Sequence, residues 1–358
     1  MPYQPKPIGP PWKGVVDNIP FLLAPTSSFK TATGFFVEKQ RIRSCPQRTP
    51  LPLWPTSSGP QIGERSFVDA IGNVHTVIMT ATQAYYFVNG TYTLVASYNS
   101  SLVPVRTEVF QNVLIFTNGT GPPVTIDGSA TSGTISLPTN GSCFYLGKLA
   151  GRMLYLNLIE PGPGQPGQTN WSRRFRWSKL QDPNNFTDFT SGVTDVPEIE
   201  DNISGYATQG ALGYIYRTNG ITVITPTGSI SPTFFVENYA AGPGIGNFYP
   251  FSLAQWGNTT AFISQEEVQL FNPLLGPPQP IGQQACRSIF ADLEQASGYV
   301  VGAFLPTLGF ERQGLQYWIS IPFANNTSKV WMFQLESQTW TNQTFPFSVT
   351  CMGVIAVS

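Results

Sequence analysis

The segment 171–177 is the densest basic and aromatic cluster of the chain, and it reads Trp-Ser-Arg-Arg-Phe-Arg-Trp. Arginines bond phosphates and aromatic rings stack on bases, so nucleic-acid contact is one interpretation. Alternation along a β-strand instead places the last two arginines on one face, with Phe175 and Trp177 on the other. We therefore favour a strand with a buried aromatic face and a charged outer face. The basic residues of this segment are Arg173, Arg174 and Arg176.

A second cluster is acidic and consists of Asp195, Glu198, Glu200 and Asp201. Carboxylates at such short spacing are able to hold Ca²⁺. The cluster lacks the Asp-x-Asp-x-Asp-Gly pattern of a known calcium loop, so we interpret it as a solvated loop. We predict no metal site here.

Two signatures of enzymes are weak or missing. The stretch 162–167 fits Gly-x-Gly-x-x-Gly, but two intervening residues are proline and no apolar helix follows, so it is read as a loop. His75 is the single histidine of the chain, which excludes sites that need two. It lies in a strand-like run, and we predict a packed histidine. We therefore predict no catalytic residue and no cofactor.

The four cysteines are far apart and form no Cys-x-x-Cys pair, which excludes a zinc ribbon. We interpret them as reduced, buried thiols. The first residues contain no apolar signal region, and no transmembrane helix is expected. The cysteines are Cys45, Cys143, Cys286 and Cys351.

Composition restricts the class of fold. Hydrophobic residues make up 41% of the 358 residues and charged residues only 11%, with 19 basic and 20 acidic side chains. This balance predicts no global attraction to nucleic acid or to an anionic membrane. The 34 glycines and 32 prolines interrupt long helices, so helical bundles are not expected.

The first 66 residues differ from the rest because they contain twelve prolines. Each proline fixes φ and removes a backbone donor, so residues 1–66 are predicted to form an extended arm. Its apolar residues would anchor it to a folded surface, as a clamp between subunits. The anchors proposed are Phe21, Leu22, Phe35 and Phe36.

From residue 67 onward, short β-prone runs alternate with turn residues such as Asn89-Gly90 and Asn219-Gly220. Hairpin units start near residues 72, 107, 143, 205, 248 and 298, a period suited to propeller blades. We predict an all-β fold in which residues 67–358 form a six-bladed β-propeller. The last strand, Cys351–Val357, would pair in a blade holding earlier sequence. A tandem of β-sandwiches is the competing architecture.

Three segments together resemble tail accessory and nozzle proteins of short-tailed bacteriophages. Residues 174–188, Arg-Phe-Arg-Trp-Ser-Lys-Leu-Gln-Asp-Pro-Asn-Asn-Phe-Thr-Asp, resemble an R-x-R-x-S…D-P-x-x-F blade segment. Residues 260–272 with Pro280-Ile-Gly282 resemble an F-I-S-x-x-G-V-x-x-F…I-G blade, although Glu267 stands where glycine is usual. Residues 40–46 resemble a G-x-L-R-x-R-P-G stretch that precedes the propeller, with Gln47 in place of the last glycine.

The resemblance implies a structural virion protein without enzymatic activity. Such proteins form a homo-oligomeric ring, often a hexamer, below the portal and adaptor, and the ring extends the channel through which DNA leaves. Partners would be the adaptor, tail fibres or spikes, and passing DNA; the protein would be made in the host cytoplasm and located in the phage tail. The arginines of segment 171–177 would then face a neighbouring subunit or partner.

A channel that conducts DNA should not hold phosphates tightly, because each phosphate contact adds salt-dependent affinity. We therefore expect a polar, mixed or weakly acidic lumen that uses the carboxylates of the acidic cluster. Two other functions remain open at this point: a carbohydrate-active enzyme with two carboxylates at a set separation, and a glycan-binding or protein-binding module. A monomer that hydrolyses or binds glycans would favour these alternatives.

Overall fold

The computed structural model describes residues 35–38, 41–44, 59–88, 91–129, 131–161, 168–197, 201–239, 242, 244–283, 285–307 and 314–353. Within these ranges the strands form six four-stranded antiparallel sheets, the blades of a six-bladed β-propeller, and one separate hairpin. The predicted all-β propeller with six blades is therefore confirmed.

The hairpin lies within the predicted arm and consists of β1 (Phe35–Glu38) and β2 (Arg41–Ser44). These eight residues are paired strands, so this part of the arm is not a single extended segment. Antiparallel pairing satisfies backbone groups that an isolated extended chain would leave to solvent.

Blades 1 to 3 are each built from four strands that follow one another in the chain. Blade 1 contains β3 (Gln61–Val68), β4 (Val74–Thr80), β5 (Gln83–Val88) and β6 (Thr91–Ser97). Blade 2 contains β7 (Arg106–Phe110), β8 (Val113–Thr117), β9 (Val124–Ile126) and β10 (Ser132–Thr134). A 3₁₀ turn, Pro138–Asn140, leads to blade 3, with β11 (Ser142–Leu149), β12 (Arg152–Pro161), β13 (Gln168–Trp177) and β14 (Gly192–Asp195).

Blades 4 to 6 follow the same plan. Blade 4 contains β15 (Ile203–Gln209), β16 (Leu212–Arg217), β17 (Ile221–Pro226) and β18 (Phe234–Tyr239), followed by a 3₁₀ turn, Pro250–Ser252. Blade 5 contains β19 (Ala254–Trp256), β20 (Thr259–Ile263), β21 (Val268–Phe271) and β22 (Gln279–Pro280), followed by α1 (Cys286–Glu294). Blade 6 contains β23 (Val301–Thr307), β24 (Gly314–Pro322), β25 (Ser328–Gln334) and β26 (Thr339–Phe345).

The predicted unit starts at 107, 143 and 205 lie within two residues of the first strands of blades 2, 3 and 4. The predicted start at 72 was wrong, because blade 1 begins with β3 at Gln61, within the residues assigned to the arm. Strand β3 directly follows Pro60, and most of its residues fall within the proline-rich segment 1–66 that composition assigns to the arm. In the structure Ile62 and Phe67 of β3 are buried.

The core lies between blades. Each of the five pairs of consecutive blades shares a buried apolar cluster, as where Met79 of blade 1 packs with Phe116 of blade 2. Near the axis the backbones approach closely: a Cβ at Gly302 would collide with the backbone of Ser252. Only glycine fits there, because β23 passes directly against the 3₁₀ turn that precedes blade 5.

Helix α1 connects blades 5 and 6 and was not predicted. Its buried residues Ile289 and Leu293 are four apart, so they share one face and pack into the cluster between these blades. Asp292 on the helix accepts a hydrogen bond from Trp331 Nε1 at 2.7 Å and pairs with Lys329 at 2.8 Å. No helix in the described ranges has the length and apolar character needed to cross a membrane.

The predicted terminal strand is not formed in the part of it that the structure describes, because Cys351–Gly353 belong to no strand. Residues 354–357 lie outside the described residues. The Thr350 hydroxyl donates to the carbonyl of Gln61 on β3, so the chain after blade 6 reaches blade 1. Blade 1, which holds the earliest propeller sequence, takes all four of its strands, β3 to β6, from consecutive chain, so the tail supplies none of them.

Candidate functional site

The basic and aromatic segment lies on β13 in blade 3. Phe175 is fully buried, whereas Arg174 lies on the outer side and its Nε donates to Asp195 Oδ1 at 2.8 Å. The guanidinium of Arg174 also stacks over Trp171, 3.9 Å from the ring centroid. The hydrogen bond that Arg174 donates to Asp195 raises the pKa of Arg174. This arginine is therefore neutralised and oriented within its own blade.

Arg176 also pairs with a carboxylate of its own blade. Its Nε and Nη2 donate to the two carboxylate oxygens of Glu160 on β12, at 3.1 and 3.0 Å. The interpretation of a blade strand with a buried aromatic face is confirmed, because Phe175 and Trp177 pack into the cluster between blades 3 and 4. The other face is charged but not open to solvent, since the side chains of Arg174 and Arg176 are only 22% and 14% exposed. For Arg173 the backbone carbonyl accepts from Val196 N at 2.9 Å. A contact of these three arginines with a neighbouring subunit stays a prediction.

The acidic cluster does not act as one group in the described residues. Asp195 pairs with Arg174, and Asp201 is buried, 3.3 Å from Arg217 Nη1 through Oδ2. Asp201 Oδ1 also accepts from the backbone N–H of Asn219 at 2.9 Å. Glu198 and Glu200 lie outside the described residues. The lining of a ring lumen by these carboxylates stays a prediction.

Of the four proposed arm anchors, Phe21 and Leu22 lie outside the described residues. Phe35 and Phe36 belong to β1, whose backbone lies beside β26, the outer strand of blade 6. The structure thus places the hairpin at the rim of the propeller. Its role between subunits stays a prediction.

The only histidine of the chain, His75, is packed as predicted. Its Nε2 lies 2.8 Å from Asp69 Oδ2, and its ring lies between Phe67 and Tyr86. The hydrogen bond from His75 lowers the pKa of Asp69 to about 2. In the described ranges there is also no group of three or more His, Cys, Asp or Glu side chains placed to hold a metal ion.

One face of the propeller presents large apolar side chains to solvent, a feature the sequence analysis did not predict. In a blade of four antiparallel strands, the turns between strands 1 and 2 and between strands 3 and 4 lie on the same face. We call this the loop face. Its turns carry the four most exposed large apolar residues of the described chain. These are Ile71 (84% exposed), Phe189 (76%), Leu274 (78%) and Leu275 (86%).

Hydrogen bonds to Asp or Asn side chains shape three of these turns. Asp69 Oδ1 accepts from the backbone N–H of Ile71 at 3.0 Å, and Asn272 Oδ1 accepts from that of Leu274 at 3.0 Å. The Asp188 carboxylate accepts from the N–H of Thr190, directly after Phe189. Such bonds stabilise tight turns. In the sequence, an Asp or Asn followed within two residues by an apolar residue marks these turns, but it does not show that the apolar side chain is exposed.

A polar pocket lies on the propeller axis. It has a volume of about 670 Å³ and is lined by first strands of the blades and by residues 351–353 of the tail. Arg106, at the start of β7 in blade 2, extends towards the 3₁₀ turn before blade 5, which lies opposite. Its Nη2 donates to the carbonyl of Pro250 at 2.8 Å, and its guanidinium lies 4.6 Å from the centroid of Phe251.

The three cysteines that the structure describes are free thiols, as interpreted from the sequence, but only Cys143 is buried, whereas Cys286 and Cys351 are partly exposed. Cys143 is fully buried, and burial raises the pKa of its thiol to about 12. Burial also raises the pKa of Cys351. Neither thiol is activated as a nucleophile. Cys45 lies outside the described residues.

The fold places the chain in the class of six-bladed β-propellers, and comparisons with known proteins add no family. No family model matches the chain, and no curated protein matches it. One similar solved structure is the extracellular domain of the putative hybrid two-component system BT4673 from B. thetaiotaomicron, at 9% identity and a TM-score of 0.47 over 78% of this chain. The chain spans about a third (32%) of that protein's length. Another is BBS1N in complex with ARL6DN, at 10% identity and a TM-score of 0.43 over 78% of both chains.

Proposed function

We propose that this protein is a structural component of a bacteriophage tail: a nozzle or tail accessory protein whose ring extends the DNA-ejection channel and joins neighbouring tail components. The observation that carries an assembly role is the loop face. Its four most exposed apolar side chains lie on turns at one face of the disc. They lie on blades 1, 3 and 5, and the two leucines of blade 5 are adjacent in one turn, so this face offers separate apolar contact points around the disc. We propose that another protein is contacted at these points, with the leucine pair as the largest of them.

The proposal of a tail ring as the assembly rests on the resemblance to phage tail proteins. In one of the segments that carry the resemblance, the matching residues have a clear role in the fold. In residues 174–188, the Ser178 hydroxyl accepts from Met153 N at 3.1 Å inside blade 3. The carbonyl of Pro183 accepts from Tyr155 OH at 2.7 Å, and Phe186 packs edge-on against the same ring. The Ser and Asp-Pro-x-x-Phe residues thus fold the long turn between β13 and β14 onto the blade.

That turn ends at Phe189, one of the exposed residues of the loop face. The segment that carries the resemblance therefore also positions part of the proposed contact surface. A ring of identical subunits uses a heterologous interface, in which one surface of each copy meets a different surface of the next. We propose the loop face as one of these two surfaces, with a second copy of this chain as its partner.

DNA would pass through the lumen between subunits rather than along the axis of one propeller. The axial pocket has a volume of about 670 Å³, in the range of small-molecule sites, and the side chain of Arg106 extends into it. The lumen of the proposed ring would be formed by outer surfaces of the blades.

The decisive experiment measures the mass of the full chain by analytical ultracentrifugation, followed by electron microscopy of the particles. We expect a ring for the unaltered protein. The double substitution Leu274→Asp/Leu275→Asp should yield folded monomers, because it places two charges in the contact surface. Leu102→Asp is the matched control, since Leu102 is 65% exposed in the connection between blades 1 and 2, on the opposite face.

A strictly monomeric unaltered protein at all concentrations would contradict the proposal. Hydrolysis or binding of glycans by such a monomer would favour the carbohydrate-active or glycan-binding alternative. Equal loss of assembly in Leu102→Asp and in the double variant would show that added charge, rather than the loop face, is responsible.

The arm offers a second test of the ring. Deletion of residues 1–30 removes the proposed anchors Phe21 and Leu22 but leaves all six blades. We expect an unchanged far-ultraviolet circular dichroism spectrum together with impaired ring formation. Prolines lower the conformational entropy that an extended segment loses on docking, which favours such a clamp. Rings of unchanged stability after the deletion would rule out the clamp.

A further inference from the structure

The axial pocket contains an arginine whose charge the described residues do not compensate. Within those residues, Arg106 has no carboxylate within ion-pair distance, and its one hydrogen bond is to the backbone carbonyl of Pro250. Its Nε is buried without a hydrogen-bond partner. A guanidinium has five N–H donors, so most of its capacity is unused. A buried charge without a counter-ion is costly, and such a group is usually paired.

The guanidinium is held in place by aromatic rings rather than by an acid. Its central carbon lies 4.6 Å from the centroid of Phe251 and 5.9 Å from that of Tyr145. Stacking of this kind fixes the plane of the guanidinium and leaves its edge free to donate hydrogen bonds. Burial lowers the pKa of Arg106, which is the direction expected for a charge taken out of water without a partner.

The other charged groups of the pocket leave a positive surplus. Lys148 pairs with Glu108 at 3.1 Å, and these two charges cancel. Arg65 and Glu64 also line the pocket, so its three basic side chains outnumber its two carboxylates, and Arg65 is exposed to solvent. Arg106 is thus the charge of the pocket that most needs a partner from outside.

The geometry points to an oxyanion-binding site on the propeller axis, in which Arg106 binds a carboxylate or phosphate group of a small ligand. A volume of about 670 Å³ accommodates a small organic molecule. Arginine pairs with both groups through charge-assisted hydrogen bonds. The hydroxyls of Tyr206 and Thr208 at the pocket wall donate to the carbonyl of Lys148, at 3.2 and 2.7 Å, so they are placed to accept hydrogen bonds from the rest of the ligand.

The test is isothermal titration calorimetry on the full chain, with inorganic phosphate and succinate as separate probes at constant ionic strength. We expect saturable binding of at least one probe, and the one that binds identifies the preferred group. Arg106→Gln should weaken binding about tenfold or more, because a hydrogen bond to a charged group is lost. Arg287→Gln on α1 removes the same charge outside the pocket and should bind as the unaltered protein does.

Absence of saturable binding for both probes would overturn the inference, and so would equal affinity of the Arg106→Gln variant. If this variant does not fold, crystals of the unaltered protein soaked in selenate provide the second measurement. An anomalous peak within hydrogen-bond distance of the Arg106 guanidinium would support the site. A peak elsewhere only, or none, would overturn it. These outcomes do not depend on ring assembly, because no residue of the loop face lines the pocket.

Discussion

The five junctions between consecutive blades differ from the seam where blade 6 meets blade 1. Each junction contains a buried apolar cluster with members from both blades. Between blades 5 and 6 the cluster includes the fully buried Trp340, whose Nε1 donates to the carbonyl of Ile281 at 2.7 Å. Dispersion contacts and the removal of apolar surface from water hold these junctions together.

Across the seam, no buried apolar cluster of the described residues joins blade 6 to blade 1. Hydrogen bonds of the tail connect the two blades instead. The Ser320 hydroxyl donates to the carbonyl of Val349 at 3.0 Å, and the Val349 N–H donates to Ser328 Oγ at 2.9 Å. The Thr350 hydroxyl then donates to the carbonyl of Gln61.

This difference shows which contact between blades contributes least to the stability of a propeller built from consecutive strands. Each junction is formed by blades that the chain connects directly, so apolar faces of neighbours fold together. The seam joins sequence from the two ends of the propeller, and polar contacts of the tail bridge it. A few hydrogen bonds contribute less than a buried cluster, because each exchanges a bond to water for a bond within the protein.

The largest effect is expected at a junction. Trp340→Ala should lower the free energy of unfolding by about 3–5 kcal/mol, because it leaves a large cavity between blades 5 and 6. Chemical denaturation measures this loss. Trp256→Ala is the matched control, since Trp256 is 50% exposed and should change stability little. Similar losses in both variants would contradict the assignment of the core to the blade junctions.

A smaller loss is expected at the seam. Ser320→Ala/Ser328→Ala removes both hydrogen bonds to Val349 and should lower the free energy of unfolding by about 2 kcal/mol. The same denaturation experiment applies, with the exposed Ser229→Ala as control. A loss as large as that of Trp340→Ala would erase the difference between seam and junctions.

The smallest effects are pH-dependent and have opposite signs at two places in blade 1. Glu64 lies beside the tail at the seam, and burial raises its pKa above 4.5. The native state then binds a proton more tightly than the unfolded state, so stability falls as pH rises through the range just above 4.5. Glu64→Gln should flatten the stability profile in that range.

Asp69 on the loop face responds in the other direction. The hydrogen bond from His75 lowers its pKa from 3.8 to about 2, so its contribution is present above pH 3.8 and is lost as pH falls towards 2. Asp69→Asn should flatten the profile below pH 3.8. Chemical denaturation of the unaltered protein and of both variants at several pH values between 2 and 7 checks both signs. If the stability of the unaltered protein rises with pH above 4.5, and Glu64→Gln abolishes this rise, the sign assigned to Glu64 is wrong.

Much of the fold was predictable because its signals are local. Alternating β-prone runs and turn residues identified the hairpins, as where Tyr216 pairs with Ile221 across Thr218-Asn219-Gly220. Strand β3 was missed because it follows Pro60 without a turn that sets it apart. Helix α1 was missed because it is short and its apolar face matters only once blades 5 and 6 enclose it.

The site residues were predictable in a more limited way. Alternation correctly separated Phe175 from the arginines of β13, because the period of two is a property of any strand. The partner of Arg176, Glu160, comes from the neighbouring strand, and only strand register brings the two together. Exposure of the loop-face residues could not be predicted either, because a local pattern does not show whether another part of the fold covers the turn.

The sequence by itself determined the class of fold, the number of blades and the packed state of His75, because hydrophobic period, turn chemistry and residue counts act over a few neighbours. Tertiary structure alone decided which charges are compensated. Asp201, just before β15, meets Arg217 at the end of β16 because these two strands pair, whereas Arg106 extends into the axial pocket without an acid among the described residues. Distances between charges depend on how six blades close into a ring, and no local pattern in the chain encodes that closure.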